Sequence, residues 1–276
     1  MRKNLLASLG LVIGVTGVIA SAQSPLADLL LRHGVQVKDG SFDLAFDAYA
    51  EPTVPVTPGS FATPLAVLTS YGGGDQIAAA YAFGILAGRS GRAASPQELA
   101  AAGQALVSMI GTEDRRARIA GARVAGRIFA SPMDQSGVAP KIPPGMLDGL
   151  FALFNHDDQV DVLVAMDALG LLREISAVAS LTERYHYYRQ SNKRSLAGGA
   201  LEALARIGDA STTAIVTQLA GDRWADGRDA TALAAAYARE RMLRDGSIAV
   251  IRQALNDKSR RDQARGYLIE LGSPVP

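Results

Sequence analysis

The chain has 276 residues, of which 48% are hydrophobic and 20% are charged, and its formal net charge is +1. This length suits one large domain or a repeat array, and the composition is too apolar for a disordered chain. A near-neutral chain is a poor candidate for general nucleic-acid binding, which depends on clustered Lys and Arg. Because cysteine is absent, neither disulfides nor thiolate metal ligands can hold the fold.

The first 22 residues have the organisation of a secretory signal peptide. Arg2 and Lys3 form a short positive region, residues 5–19 form an apolar run, and Ala20-Ser21-Ala22 is a small-residue cleavage site. The alternative is an uncleaved anchor, although the apolar run is short for a membrane span. Cleavage after Ala22 removes two of the 28 basic residues and none of the 27 acidic ones. We expect a periplasmic or secreted product without stable membrane insertion.

Residues 23–74 do not fit the pattern that follows them. They contain a helix-like PLADLLLRHG, a KDGS turn and the proline-rich EPTVPVTPGSFATP. We interpret this segment as an irregular N-terminal extension that packs against, or leads into, the first regular elements.

From residue 75 onward, apolar residues recur with the helical period of 3.6. The segment SPQELAAAGQALVSMIG opens with a capping box, with Ser95 as the cap and Glu98 reaching back. Turn-rich stretches at 132–145 and 221–230 interrupt the pattern. The predicted helix pairs are 75–88 with 96–110, 114–130 with 145–155, 158–173 with 177–190, 193–207 with 210–220, and 229–244 with 248–256, followed by a final helix at 259–271.

The segment LAGGALEALARIGDASTTAIVTQL at 196–219 gives the clearest example of one unit. Leu196, Ala200 and Leu204 share one helical face, which predicts a buried Leu204, whereas Glu202 is expected at the surface. Gly208 ends the helix, and Asp209 caps the next one. A shift of 36 residues maps Ile207 onto Leu243, Asp209 onto Asp245, Ile215 onto Ile251 and Leu219 onto Leu255. Recurring two-helix units indicate an α-solenoid.

The unit ALEALARIGDASTTAIVTQL resembles a HEAT repeat of the short bacterial type, which reads A-L-x-x-[LI]-G-D before an apolar second helix. AMDALGLLREISAVASL is similar, but Arg173-Glu174 stands where Gly-Asp is expected. The resemblance implies an all-α, right-handed α-solenoid of about five helix pairs plus a terminal helix over residues 75–276. In such solenoids the second helices usually line the concave side.

Three groups of charged residues are candidates for metal or anion binding. Asp157, Asp158 and Asp161 beside His156 suit either a divalent cation or, as we favour, the acidic first turn of a helix. Arg116, Arg123 and Arg127 share a helical face. We favour the interpretation that this face is solvated and forms ion pairs with a neighbouring helix over the alternative that it recognises an anion. The loop around Trp224 departs from a calcium-binding pattern. With three histidines and no recognisable nucleophile–base pair, we predict no catalytic residue, no metal and no cofactor.

The segment TERYHYYRQSNKR at 182–194 combines tyrosines with basic residues. On a helix, Val178, Leu181, Tyr185 and Tyr188 form the core face, and His186 and Tyr187 point away between Arg184 and Arg189. We predict that Arg184, His186, Tyr187 and Arg189 bind a protein or peptide of acidic character. The alternative is a tyrosine-rich helix whose exposed face has no partner.

These observations predict an exported HEAT-type protein that acts as an interaction or assembly scaffold in the cell envelope and is not an enzyme. One alternative is a periplasmic enzyme, or enzyme subunit, with a pocket between the N-terminal extension and the first repeats. Another is a purely structural domain of an envelope complex.

Overall fold

The structure, a computed structural model, describes residues 55–70, 74–132, 138–220, 222 and 230–275. The predicted signal peptide, its cleavage site, most of the N-terminal extension and the loop around Trp224 lie outside these residues. Within them, 73% of the residues are helical and none is in a strand. The all-α prediction is therefore confirmed for this part of the chain. None of its helices is long and apolar enough to cross a membrane.

The described residues contain twelve α-helices and four short 3-10 turns. The α-helices are α1 (Ala62–Thr69), α2 (Gly74–Ala87), α3 (Pro96–Ile110), α4 (Arg115–Ile128), α5 (Met146–Phe154), α6 (Gln159–Leu172), α7 (Val178–Gln190), α8 (Arg194–Ile207), α9 (Thr213–Thr217), α10 (Ala230–Leu243), α11 (Ile248–Ala254) and α12 (Arg261–Glu270). Each helix predicted from residue 75 onward is present, with bounds that differ by a few residues.

Local capping explains where these helices begin and end. The Ser95 hydroxyl accepts from the Glu98 backbone N at 3.3 Å, and the Glu98 carboxylate accepts from the Ser95 backbone N at 2.8 Å. Asp158 caps α6, and its carboxylate accepts from the backbone N of Val160 at 2.8 Å. Gly208 ends α8 in the left-handed region, at φ 72°. All three signals are local in sequence.

Two elements differ from the prediction. Residues 55–70 of the predicted irregular extension contain a 3-10 turn, Pro58–Phe61, and helix α1, which packs on α2. The proline-rich sequence shows no helical pattern here, although Thr57 and Ser60 form a capping box at the 3-10 turn that precedes this helix. Helix α9 has five residues, because the 3-10 turn Ala210–Thr212 takes the place of its first turn.

Four of the five predicted helix pairs are wrong, whereas the pair of α10 with α11 is confirmed. We call the 14-residue helices α2, α4, α6, α8 and α10 the long helices; each of the first four packs on the next one. Helices α1, α3, α5, α7 and α9 each pack chiefly on the long helix that follows them in sequence. The prediction paired α3, α5, α7 and α9 with the helix that precedes them. Short loops favour antiparallel neighbours, and for α3, α5 and α7 the following loops at 111–114, 155–158 and 191–193 are shorter than the preceding ones at 88–95, 129–145 and 173–177. Loop length does not explain α9, which packs on α10 although the connection to α10 is the longer of its two.

Small residues bring the backbones of the long helices close together. An added Cβ at Gly126 would lie 3.0 Å from the Cα of Ala168, and one at Gly170 would lie 2.8 Å from the Cα of Ala203. A Cβ at Gly198 would lie 3.3 Å from the Cα of Thr231. The long helices can therefore pack at short distance only because these positions carry no side chain.

The last helix reaches back to elements far away in sequence. Tyr267 on α12 stacks on Tyr237 of α10, with ring centroids 4.2 Å apart, and its hydroxyl donates to Glu202 of α8 at 2.8 Å. Glu270 on α12 forms an ion pair with Arg206 of α8 at 2.9 Å. These contacts bring the C-terminal ends of α8, α10 and α12 together, which positions the larger cavity described below.

Candidate functional site

Helix α7 presents the predicted partner-binding surface. Leu181, Tyr185 and Tyr188 are buried, as the helical register predicted, and His186 and Tyr187 are exposed. Tyr187 is 49% exposed, and it is the only tyrosine among the exposed large hydrophobic residues in the part of the chain that the structure describes. The helix therefore carries an aromatic surface that its own core does not use.

Arg184 and Tyr187 come together in a shallow cavity between α7 and the end of α5. Its volume is about 340 Å³, and its lining residues are Phe154, Asn155, Ser180, Glu183, Arg184 and Tyr187. The Arg184 guanidinium donates to the Asn155 side-chain oxygen at 3.1 Å and lies 5.5 Å from the centre of the Phe154 ring. The Lys193 ammonium lies 5.3 Å from the centre of the Tyr187 ring, which adds a second cation.

The other two predicted residues lie on a different part of the helix surface. Arg189 forms an ion pair with Asp222 and donates to the Tyr185 hydroxyl at 3.4 Å. The His186 ring packs on the edge of Tyr185, at 5.3 Å between ring centroids. Arg184 and Tyr187 therefore lie in one cavity. Arg189 pairs with Asp222 on the other side of the buried residues Leu181, Tyr185 and Tyr188.

A larger cavity, of about 760 Å³, lies where the C-terminal ends of α8, α10 and α12 meet. Four arginines, Arg92, Arg173, Arg241 and Arg244, contribute to its lining, together with the carboxylates of Glu240 and Glu270. Its apolar lining comes from Ala205, Ile207, Ala210, Met242, Ile248, Ile269 and Leu271. Sequence reasoning missed this site, because its residues come from segments up to 180 positions apart.

Both carboxylates of the larger cavity are engaged within the protein. Glu270 pairs with Arg206 and accepts from the Tyr237 hydroxyl. Glu240 accepts from the backbone N of Ile248 at 3.1 Å, at the beginning of α11. Neither carboxylate forms an ion pair with Arg92, Arg173 or Arg244, although the negative charge of Glu270 acts on Arg173 and partly offsets the lowering of its pKa.

The arginines of this cavity differ in what they contact. Arg241 donates to three backbone oxygens, those of Ala205 at 2.9 Å, Glu270 at 3.4 Å and Arg206 at 3.5 Å. The guanidinium groups of Arg92, Arg173 and Arg244 make no ion pair or hydrogen bond with any of the described residues. Burial, followed by the positive charges of Arg241 and Arg89, lowers the pKa of Arg173 from its usual value.

A buried ionic network lies beside this cavity, around the Arg206 guanidinium. It contacts the carboxylates of Asp167 at 2.5 Å, Glu202 at 2.5 Å and Glu270 at 2.9 Å. Burial raises the pKa of Glu202 to about 7, and the negative charges of Asp167 and Glu270 act in the same direction against Arg206. One guanidinium therefore serves three acids, and burial favours the protonated form of Glu202.

The acidic cluster at the start of α6 has structural partners. The Arg115 side chain holds the pKa of Asp158 at about 2 through a hydrogen bond, and Asp158 also caps the helix. Asp161 is buried and pairs with Arg118 and His156, each at 2.9 Å. Among the described residues, no three His, Asp or Glu side chains are grouped to hold a metal ion.

The predicted arginine stripe on α4 is not a uniformly solvated face. Arg116 is exposed, but Arg127 is 1% exposed, and its Nε donates to the backbone oxygen of Gly84 at 2.7 Å. Gly84 lies in the last turn of α2, where backbone oxygens lack partners within the helix. Arg127 is therefore a buried cap for a neighbouring helix.

No protein-family model, no curated protein and no solved structure matches the chain.

Proposed function

We propose that the chain is an exported helical repeat protein that binds a protein partner in the cell envelope and has no catalysis of its own. In this proposal its helices form a right-handed α-solenoid of the HEAT type. The repeated packing of successive long helices, with a further helix beside each, supports the repeat architecture. Solenoids of this kind present extended surfaces, and their usual role is binding.

The observation that carries the binding role is the exposed cavity of Arg184 and Tyr187. Tyrosine offers a large amphipathic contact at small entropic cost, and arginine offers planar donors that match carboxylates. The Arg184 guanidinium contacts an amide oxygen and a ring face, with no carboxylate among its described partners. Lys193 adds a second positive charge beside Tyr187. The partner that fits this surface is a protein segment with acidic side chains.

The test is a cross-linked pull-down from the envelope fraction with three forms of the protein. These are the wild type, the double variant Tyr187→Ala with Arg184→Ala, and a control with Val250→Ala and Lys258→Ala. The control also removes one exposed apolar residue and one cation, but on α11 and the turn after it. We expect one acidic partner to be enriched by the wild type and the control and lost from the double variant. Equal capture by all three forms would exclude α7 as the docking surface.

The location outside the cytoplasm rests on residues 1–22. Their positive region, apolar run and small-residue cleavage site are typical of a secretory signal. Intact mass of the chain recovered from the periplasm should correspond to a start at Gln23. Recovery of the full-length chain from the cytoplasm or the membrane would contradict this part of the proposal.

An enzyme, or enzyme subunit, with a pocket between the N-terminal extension and the first repeats is the competing proposal. The α7 cavity is lined by other elements, and in the larger cavity Arg92 alone among the lining residues comes from the first predicted repeat. No nucleophile–base pair comes with them, and binding is therefore the function that the geometry supports best.

A further inference from the structure

The larger cavity combines a volume suited to a small molecule with a concentration of positive charge. Its volume of about 760 Å³ falls within the ~300–1,000 Å³ that small-ligand pockets span. We propose that it binds a small organic anion with at least two carboxylate or phosphate groups, and that Arg173 and Arg244 are its principal donors. This site is separate from the α7 surface and does not depend on the protein partner.

The balance of charge supports an anionic ligand. Four arginines and two glutamates line the cavity, so positive charge is in excess. Glu270 also contacts Arg206 and Tyr237, and Glu240 accepts from the first turn of α11. The backbone oxygens at the helix ends are partly negative, and Arg241 serves those of Ala205, Arg206 and Glu270. This leaves Arg173, Arg244 and Arg92 around one cavity without a carboxylate partner among the described residues.

The backbone at the two principal arginines adds a second argument. Helices α8 and α12 end at Gly208 and Gly272, whose φ values of 72° and 66° cost glycine nothing. Helices α6 and α10 end instead at Arg173 and Arg244, both with φ 54°. Side chains other than glycine, Asn and Asp rarely adopt this conformation. At these two helix ends the backbone is strained, and the residue at the strained position places a guanidinium group at the cavity.

The remaining lining indicates the kind of anion. Guanidinium groups form paired hydrogen bonds with carboxylate and phosphate oxygens, which suits an anion with several such groups. Ile207, Ile248 and Leu271 add apolar contacts that a bare inorganic ion would not use. The lowered pKa of Arg173, which reflects burial and the nearby Arg241 and Arg89, points in the same direction. A bound anion would relieve this repulsion.

Isothermal titration calorimetry with two anions and one neutral compound tests the site. The probes are citrate for carboxylates, fructose 1,6-bisphosphate for phosphates and glucose as the neutral control, all at equal ionic strength. The variants are Arg173→Asn, Arg244→Asn and their combination, because asparagine tolerates the left-handed backbone. Arg116→Asn, on the exposed part of α4, removes the same charge at a distance from the cavity.

We expect one-to-one binding of at least one anion, weakened about tenfold or more by each cavity variant and changed less than about twofold by Arg116→Asn. Preference for citrate assigns carboxylates, and preference for the bisphosphate assigns phosphates. Arg244 is exposed, so Arg244→Asn decides the outcome if Arg173→Asn fails to fold. Absence of saturable binding by both anions, equal binding of glucose, or equal weakening by Arg116→Asn would overturn the proposal.

Discussion

Glu202 shares the Arg206 guanidinium with Asp167 and Glu270, and it accepts a hydrogen bond from Tyr267 at 2.8 Å. The helical register placed it at the surface, but its side chain is only 17% exposed. The register itself holds, because Leu204, two positions away, has no exposed surface. The expectation for Glu202 was wrong because α12, from 60 residues further on, covers that side of α8.

The raised pKa of Glu202 predicts that ionising it destabilises the fold. Its pKa is about 7 in the folded chain against 4.5 for a free side chain, so the folded state binds more protons between these values. Stability from this group is present below about pH 4.5 and is lost as the pH rises through 7. The free energy of unfolding of the wild type should therefore fall between pH 5 and pH 8. Urea unfolding should show that this fall is smaller by roughly 2 kcal/mol in Glu202→Gln.

The matched control for this prediction is Glu113→Gln, which makes the same chemical change at an exposed position in the loop before α4. It should keep the pH dependence of the wild type. If Glu202→Gln and the wild type lose stability in parallel from pH 5 to pH 8, the proton on Glu202 does not contribute.

At the scale of the elements, the long helices approach one another through positions without side chains. Gly170 on α6 faces the backbone of Ala203 on α8, and Gly126 on α4 faces that of Ala168 on α6. The same contact between successive long helices therefore recurs along the chain. It depends on the absence of a Cβ, since a main-chain atom opposite cannot move aside as a flexible side chain can.

Gly170→Ala is expected to destabilise the protein, although alanine is the better helix former by about 1 kcal/mol. The new Cβ would lie 2.8 Å from the Cα of Ala203, so α6 and α8 would have to separate. We expect a loss of about 1–3 kcal/mol in the free energy of unfolding, measured with urea.

Gly111→Ala serves as the control, because the nearest atom to its new Cβ lies 3.7 Å away and its φ of −85° suits alanine. Its stability should stay within about 0.5 kcal/mol of the wild type. Similar losses for the two variants would mean that α6 and α8 do not pack as closely as described.

At the scale of the whole molecule, α12 connects elements that are distant in the chain. The Tyr267 hydroxyl contacts Glu202 of α8, its ring stacks on Tyr237 of α10, and Glu270 pairs with Arg206. These contacts join the C-terminal helix to two of the long helices and enclose the arginine-lined cavity. We therefore expect α8, α10 and α12 to unfold as one cooperative unit.

Tyr267→Ala should lower the free energy of unfolding by about 3–5 kcal/mol, because it removes a buried ring. Hydrogen exchange should also show weaker protection of amides in α8, some 65 residues earlier. Tyr187→Ala, at a 49% exposed tyrosine, should leave stability and protection almost unchanged. A loss of protection confined to α12 in Tyr267→Ala would show that the last helix frays on its own.

Helix existence and approximate bounds were predictable from the sequence alone. The 3.6-residue period, the Ser95 capping box and the Gly208 helix end act between residues at most four positions apart, and the structure contains each of them. One sequence feature is related to the larger cavity: Arg173-Glu174 stands in place of the expected Gly-Asp, and Arg173 lines the cavity. Nothing in the spacing showed that Arg92, Arg173, Arg241 and Arg244 would line one cavity.

Tertiary structure alone decided which helices pair, which arginines are buried and where the positive charge gathers. Helix α7 fits its own amphipathic pattern whether it packs on α6 or on α8, and the short loop at 191–193 places it on α8. A helical wheel predicts that Arg127 is solvated, but in the structure its guanidinium is buried and donates to the last turn of α2. A local pattern states which face of a helix is apolar, whereas the choice among apolar partners depends on packing between segments far apart in the chain.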